Sequence, residues 1–167
     1  MLRNIPLLPK SAFPLSLCLG LAALVPSIGL AETTTSWTVL GYIAVDLENY
    51  PMADGSTLQN YTTKVIYVAS DGEMAGQYYS GDCAGTATIS ADASYGATWG
   101  CTITMTAEDA FTISNVRDDG VAFEYVITGG KGKFKGATGG GKGTWLWGDT
   151  NFGDRAALTD TVTLTLP

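Results

Sequence analysis

From residue 32 onward the chain carries short alternating or β-branched runs separated by glycine, aspartate and asparagine, and no sustained helical period. Nine runs read as strands: 37–46, 63–70, 76–79, 86–90, 98–106, 110–116, 121–128, 143–147 and 157–166. The last is the clearest. Val162, Leu164 and Leu166 alternate with Thr161, Thr163 and Thr165, the two-residue period of a half-buried strand. Val121, Phe123, Tyr125 and Ile127 fall on one face, with Glu124 and Thr128 on the other, and Trp145 and Trp147 share a face. Asp118-Asp119-Gly120 is a hairpin signal, and residues 52–59 read as a polar loop.

Strands at this spacing predict an all-β sandwich or barrel of about eight antiparallel strands. Closure into a barrel removes the exposed edges that antiparallel sheets must otherwise protect. A barrel of about eight strands either fills its interior with side chains or keeps room for one small ligand. That choice decides the function.

The first 31 residues change the picture. Arg3 and Lys10 precede an uncharged apolar stretch, Pro26 breaks it, and Gly29-Leu30-Ala31 supplies small residues, the three-part pattern of a cleaved secretory signal. Pro14 and Pro26 interrupt the run too early for a spanning helix, so no membrane anchor is expected after cleavage. Cys18 follows Leu17, where a lipoprotein signal needs a small residue, and reads as part of the discarded segment. The expected product is a secreted or periplasmic protein whose single domain spans 32–167. It retains Cys83 and Cys101 alone, which are expected to pair in an oxidising compartment.

Without Arg3 and Lys10 the net charge falls from −7 to −9, which argues against nucleic acid and anionic membranes as partners. The chain has no histidine. A metal site and a catalytic thiol or serine therefore lack their usual ligands and base, and no metal or organic cofactor is expected. Asp82, Glu108, Asp109, Asp118, Asp119, Glu124, Asp149 and Asp154 scatter over turns with nothing to pair any two as glycosidase acids. The oxygens of 149–154 fall short of the full calcium-loop pattern and fit ordinary turn chemistry better. Asn60-Tyr61-Thr62 is a glycosylation sequon, meaningful in a eukaryotic source.

The most unusual stretch is 128–145, TGGKGKFKGATGGGKGTW. Gly136 and Gly141-Lys142-Gly143 nearly match a phosphate-binding loop, but the final Ser or Thr and the following helix are missing. The structural reading is a glycine hairpin of Gly129, Gly130, Gly132, Gly136 and Gly139 anchored in the core by Phe134. Lys131, Lys133, Lys135 and Lys142 make a basic patch on an acidic body and read as solvated surface.

Residues 127–139, ITGGKGKFKGATG, resemble the GGTGRFAGATG signature of the allene oxide cyclase-like and dirigent-like β-barrels, and 101–111, CTITMTAEDAF, resembles the segment before it in exported bacterial members. Lys131 and Lys133 stand where Thr and Arg are commoner. The resemblance spans 83–147. It implies an eight-stranded, calycin-like antiparallel barrel with a mostly apolar pocket, often a homo-trimer. It also implies a function among cyclases or among proteins that steer coupling without an active site of their own. No catalytic residue transfers from it, and fold analogy alone does not give function.

The remaining candidates are aromatic. Trp37, Tyr42, Tyr67, Trp99, Phe123, Tyr125, Trp145 and Trp147 all fall on expected strands. Core packing is the plainer role. The sharper one lines a pocket for a small apolar or aromatic ligand with Trp37, Tyr67, Phe123, Tyr125, Trp145 and Trp147. The reading adopted from the sequence is an exported barrel that binds such a ligand without a cofactor. Its alternatives are a cofactor-independent cyclase or isomerase with a buried ionisable group, and a surface or assembly protein with a solid barrel. A cavity of about 300 Å³ or more with one or two polar groups marks a ligand site, and a filled interior removes it.

Overall fold

The computed structural model describes residues 32–146 and 155–167. The expected signal segment, Trp147 and the 149–154 loop lie outside them. Eight strands follow in order: β1 (Thr33–Pro51), β2 (Thr57–Ala69), β3 (Tyr78–Ile89), β4 (Tyr95–Thr104), β5 (Ala110–Asp118), β6 (Ala122–Lys131), β7 (Thr138–Trp145) and β8 (Arg155–Leu166). Each pairs antiparallel with the next, and β8 pairs with β1, closing the barrel. Closure gives every strand two hydrogen-bonded neighbours, so no edge is left to aggregate. Among the described residues no helix is long and apolar enough to cross a membrane.

The expected strands 76–79 and 86–90 are one strand, β3. Cys83, Ala84 and Gly85 carry too little apolar volume to show an alternation, yet their backbone stays in the ladder with both β2 and β4. Likewise β7 starts at Thr138, ahead of the expected 143, because glycine pairs in a ladder without any side chain to announce it. Val121 precedes β6 and is exposed, so it does not share the inward face of Phe123, Tyr125 and Ile127. Tyr42 points outward with Leu40, since the odd positions of β1 face the core.

Antiparallel order puts the starts of odd strands and the ends of even strands on one rim. That end is closed. Trp37, Val39, Tyr79, Ile103, Phe111, Phe134, Val162 and Leu164 are buried there in one cluster. The Trp37 indole Nε1 donates to the Tyr79 hydroxyl at 2.9 Å, satisfying a buried donor that core packing would otherwise strand. Two 3-10 turns, Gly72–Met74 and Gly132–Phe134, lie on the same rim. In the second, Gly132 takes φ 62°, a left-handed conformation that turns the chain so that Phe134 packs edge-on against Phe111. Gly130 lies against the Phe134 backbone, where a Cβ would collide. Gly129, Gly136 and Gly139 flank this turn in β6, the loop and β7.

Cys83 and Cys101 are direct cross-strand partners on β3 and β4 and form a disulfide, with Cα atoms 4.0 Å apart.

Candidate functional site

The interior alternates large and small residues between neighbouring strands, as tapering barrels require. Tyr67 of β2 rests on Gly41 and Gly81, Tyr61 of β2 on Gly85, and Phe123 and Tyr125 of β6 on Gly143 and Gly141 of β7. A Cβ at Gly141 would meet the Tyr125 hydroxyl, and one at Gly143 the Phe123 ring. The glycine run of β7 therefore lets two rings lie flat against the wall. The space they leave is a funnel open at the second rim, lined near its mouth by Leu47, Gln59, Tyr61, Tyr95, Trp99 and Trp145.

The funnel encloses about 670 Å³ free of atoms when its solvent-open part is counted, but room for water-sized molecules inside is about 60 Å³. This falls short of the 300 Å³ expected of a closed ligand chamber, and the interior is not filled either. The funnel takes a slender group, and the bulk of any larger ligand has to extend towards its open rim.

The rings at that rim are fixed. Asp118, buried at the end of β5, accepts from Trp99 Nε1 through Oδ2 at 2.8 Å and from Trp145 Nε1 through Oδ1 at 3.2 Å. Its Oδ1 also accepts the Gly120 N–H at 3.0 Å. Burial pushes the Asp118 carboxyl above its ordinary value, and these three bonds work against that rise. The two indoles flank Phe123, with ring centroids 5.8 and 5.0 Å away. Asp118 reaches this position through a bulge: between Asn115 and Arg117 the register of β5 against β6 slips, Val116 is extruded to solvent, and the inward face passes from odd to even positions.

Deeper in the funnel stands Asp160 of β8, only 5% exposed. The Tyr125 hydroxyl donates to its Oδ2 at 2.6 Å. Its Oδ1 is buried and meets no donor among the described residues. Burial raises the carboxyl to about 7, and the Tyr125 bond and the adjacent Thr161 backbone N–H counter only part of that. Burial likewise pushes the phenols of Tyr61, Tyr67, Tyr79, Tyr95 and Tyr125 above their ordinary value, so all five are neutral near pH 7. The site is thus a carboxyl poised near neutrality, holding one open acceptor in apolar surroundings. Chemically it can anchor a polar group or exchange a proton with one.

Of the sequence candidates, Tyr67, Phe123, Tyr125 and Trp145 line the funnel, together with Trp99 and the Cys83–Cys101 disulfide. Trp37 lies in the closed end, bonded to Tyr79 and away from the funnel. Three lysines of the patch are held at the surface: Lys131 by the Ala107 carbonyl, Lys133 beside Asp109 and Lys142 by Glu124. Among the described residues no group of three or more His, Cys, Asp or Glu gathers as a metal would need.

Asp160 is the residue the sequence reading missed. The signal was present: carrying the alternation of Val162 and Leu164 back one step places Asp160 on the apolar face of β8. Asp118 gave no such signal, because its burial depends on the bulge.

No protein-family model matches the chain, and no curated protein matches it. Solved structures do. The pterocarpan synthase dirigent protein GePTS1 superposes with a TM-score of 0.54 at 15% identity, over 81% of this chain and 89% of that one. The pterocarpan synthase dirigent protein PsPTS1 gives 0.54 at 14%, over 80% and 96%. At this identity the likeness is one of fold. The chain shares with these two dirigent proteins the fold of a closed eight-stranded barrel.

Proposed function

We propose that this barrel is an exported, cofactor-independent binder of a small, mainly aromatic molecule, held by the rings at the mouth and anchored by Asp160. The observation that carries the reading is the unpartnered Oδ1 of Asp160 within an aromatic funnel. Leaving a buried acceptor unbonded costs on the order of 1–3 kcal/mol, a cost that a bound donor removes. The disulfide is consistent with export. In a thermal-shift screen of small phenols, aromatic alcohols and lipids, at least one compound raises the melting temperature, and Trp99→Leu weakens that response. A flat response across all classes overturns the reading.

A second reading adds chemistry. A carboxyl poised near neutrality beside a phenol is suited to proton transfer in an isomerisation or cyclisation, with the walls fixing the reactive conformation. Two structural neighbours bear the name synthase, which supports it. Incubating a ligand from the screen with the protein, with products followed by mass spectrometry, tests it. Conversion that disappears in Asp160→Asn while binding persists supports catalysis, and unaltered ligand overturns it.

A further inference from the structure

The charge distribution across the barrel wall narrows the ligand class, on the footing of the binding reading above. All seven basic residues of the described part, Lys64, Arg117, Lys131, Lys133, Lys135, Lys142 and Arg155, are exposed on the outside. None lines the funnel, whose one charged lining group is Asp160. Around it stand the ring faces of Tyr61, Tyr67, Tyr95, Trp99, Phe123, Tyr125 and Trp145. Aromatic faces present negative potential and attract cations, most strongly where water is excluded. Nothing on this wall compensates a second negative charge, so a carboxylate or phosphate brought inside would be both desolvated and repelled.

We infer that the funnel selects an aromatic amine, its ammonium group inserted against the open Oδ1 of Asp160 and its ring held at the mouth against the aromatic wall that Trp99, Phe123 and Trp145 form, and that it rejects the corresponding acids. The shape agrees with this. The funnel as a whole offers about 60 Å³, which suits an ammonium on a short stem and leaves the ring towards the open rim. Inside the barrel the groups facing Asp160 are the phenols of Tyr125 on β6, Tyr67 on β2 and Tyr79 on β3, all neutral near pH 7. On its outer side Asp160 borders a second hollow with Arg117, Glu124 and Lys142, of which Glu124 and Lys142 pair with each other, and Asp118 at the mouth is taken up by Trp99, Trp145 and the Gly120 N–H. Asp160 is therefore the charge that the funnel lining offers a ligand. An ammonium there would also favour ionised Asp160, coupling binding to loss of its proton.

The test is isothermal titration of the protein with three matched probes, 2-phenylethylamine, 2-phenylethanol and phenylacetate, at about pH 8 and again at about pH 5. At the higher pH the amine is expected to bind at least ~10-fold tighter than the alcohol, with the acid weakest. At the lower pH, where Asp160 is protonated and the amine still charged, the advantage over the alcohol shrinks to within about 2-fold. Asp160→Asn is expected to abolish the advantage at both. An acid that binds as well as the alcohol, an amine no tighter than the alcohol, or a preference that survives Asp160→Asn or the lower pH each overturns the inference while leaving the binding reading intact. Binding by none of the three overturns the inference, and the screen above decides separately whether the barrel binds anything.

Discussion

The Tyr125 phenol reaches across an entire strand to Asp160. Tyr125 lies on β6 opposite Gly141 of β7, and Asp160 lies on β8 opposite Gly143 of the same strand, yet the hydroxyl and carboxylate are 2.6 Å apart. The span exists because β7 has no side chain at either position. The glycine-rich stretch that looks like a phosphate loop is thus the floor on which the polar centre of the barrel is assembled.

This pair sets a pH dependence of stability. Asp160 has an ordinary value of 3.8 and rises to about 7 in the folded protein, so between these values the folded state holds a proton that the unfolded state has released. Stability is therefore full below 3.8 and falls as pH rises towards 7, by at most about 4 kcal/mol at 1.36 kcal/mol per unit. Asp160→Asn should melt higher than the wild type at about pH 8 and match it near pH 4, as read by chemical denaturation at the two values. Equal stability at both would show that Asp160 is not desolvated in the way the geometry implies.

Gly141→Ala tests the strand floor. Its Cβ would occupy the space of the Tyr125 hydroxyl, so the ring must swing away or β7 must move. A loss of about 1–3 kcal/mol is expected, as for overpacking elsewhere. The Asp160 carboxyl should titrate higher still once the phenol no longer supports its charged form, a change visible by carbon-detected NMR. Alanine at Gly96, where a Cβ meets nothing, is the control and should change little.

Asp118→Ala removes the acceptor shared by two indoles. Trp99 and Trp145 lose the carboxylate they share, and the Gly120 N–H loses its turn acceptor. The expected cost is about 2–4 kcal/mol, with a red-shifted tryptophan emission as the mouth loosens. An unchanged emission spectrum would mean that packing against neighbours such as Phe123 and Tyr125 holds the rings without the carboxylate.

Breaking the disulfide should weaken the barrel without unmaking it. Cys83 and Cys101 are 18 residues apart, and closing a loop of that size stabilises by about 3 kcal/mol in the chain-entropy model. Cys83→Ala/Cys101→Ala is expected to lower the unfolding free energy from chemical denaturation by that amount while the far-ultraviolet spectrum keeps its β signature, since the neighbouring rungs of the β3–β4 ladder do not depend on the bridge.

The sequence by itself determined the fold class, the approximate strand count, the cysteine pair and the aromatic character of the interior. These follow from short-range alternation and from residue types that have few alternatives: β8 shows its buried face in Val162 and Leu164, and with Cys18 assigned to the expected signal the other two cysteines can pair in one way. What only the tertiary structure decided is which inward residues meet. Trp37 and Trp145 look equivalent along the chain, but Trp37 stands near the start of β1 and Trp145 at the end of β7, strands that run the same way, so one lies at the closed rim and the other at the mouth. Asp118 turns inward through a slip in the register of β5 against β6, and Asp160 meets Tyr125 through a gap left by a third strand. Alternation reports which side of a sheet a residue occupies. The height at which it stands in a closed barrel, and what faces it across the interior, depend on the pairing of strands remote in sequence.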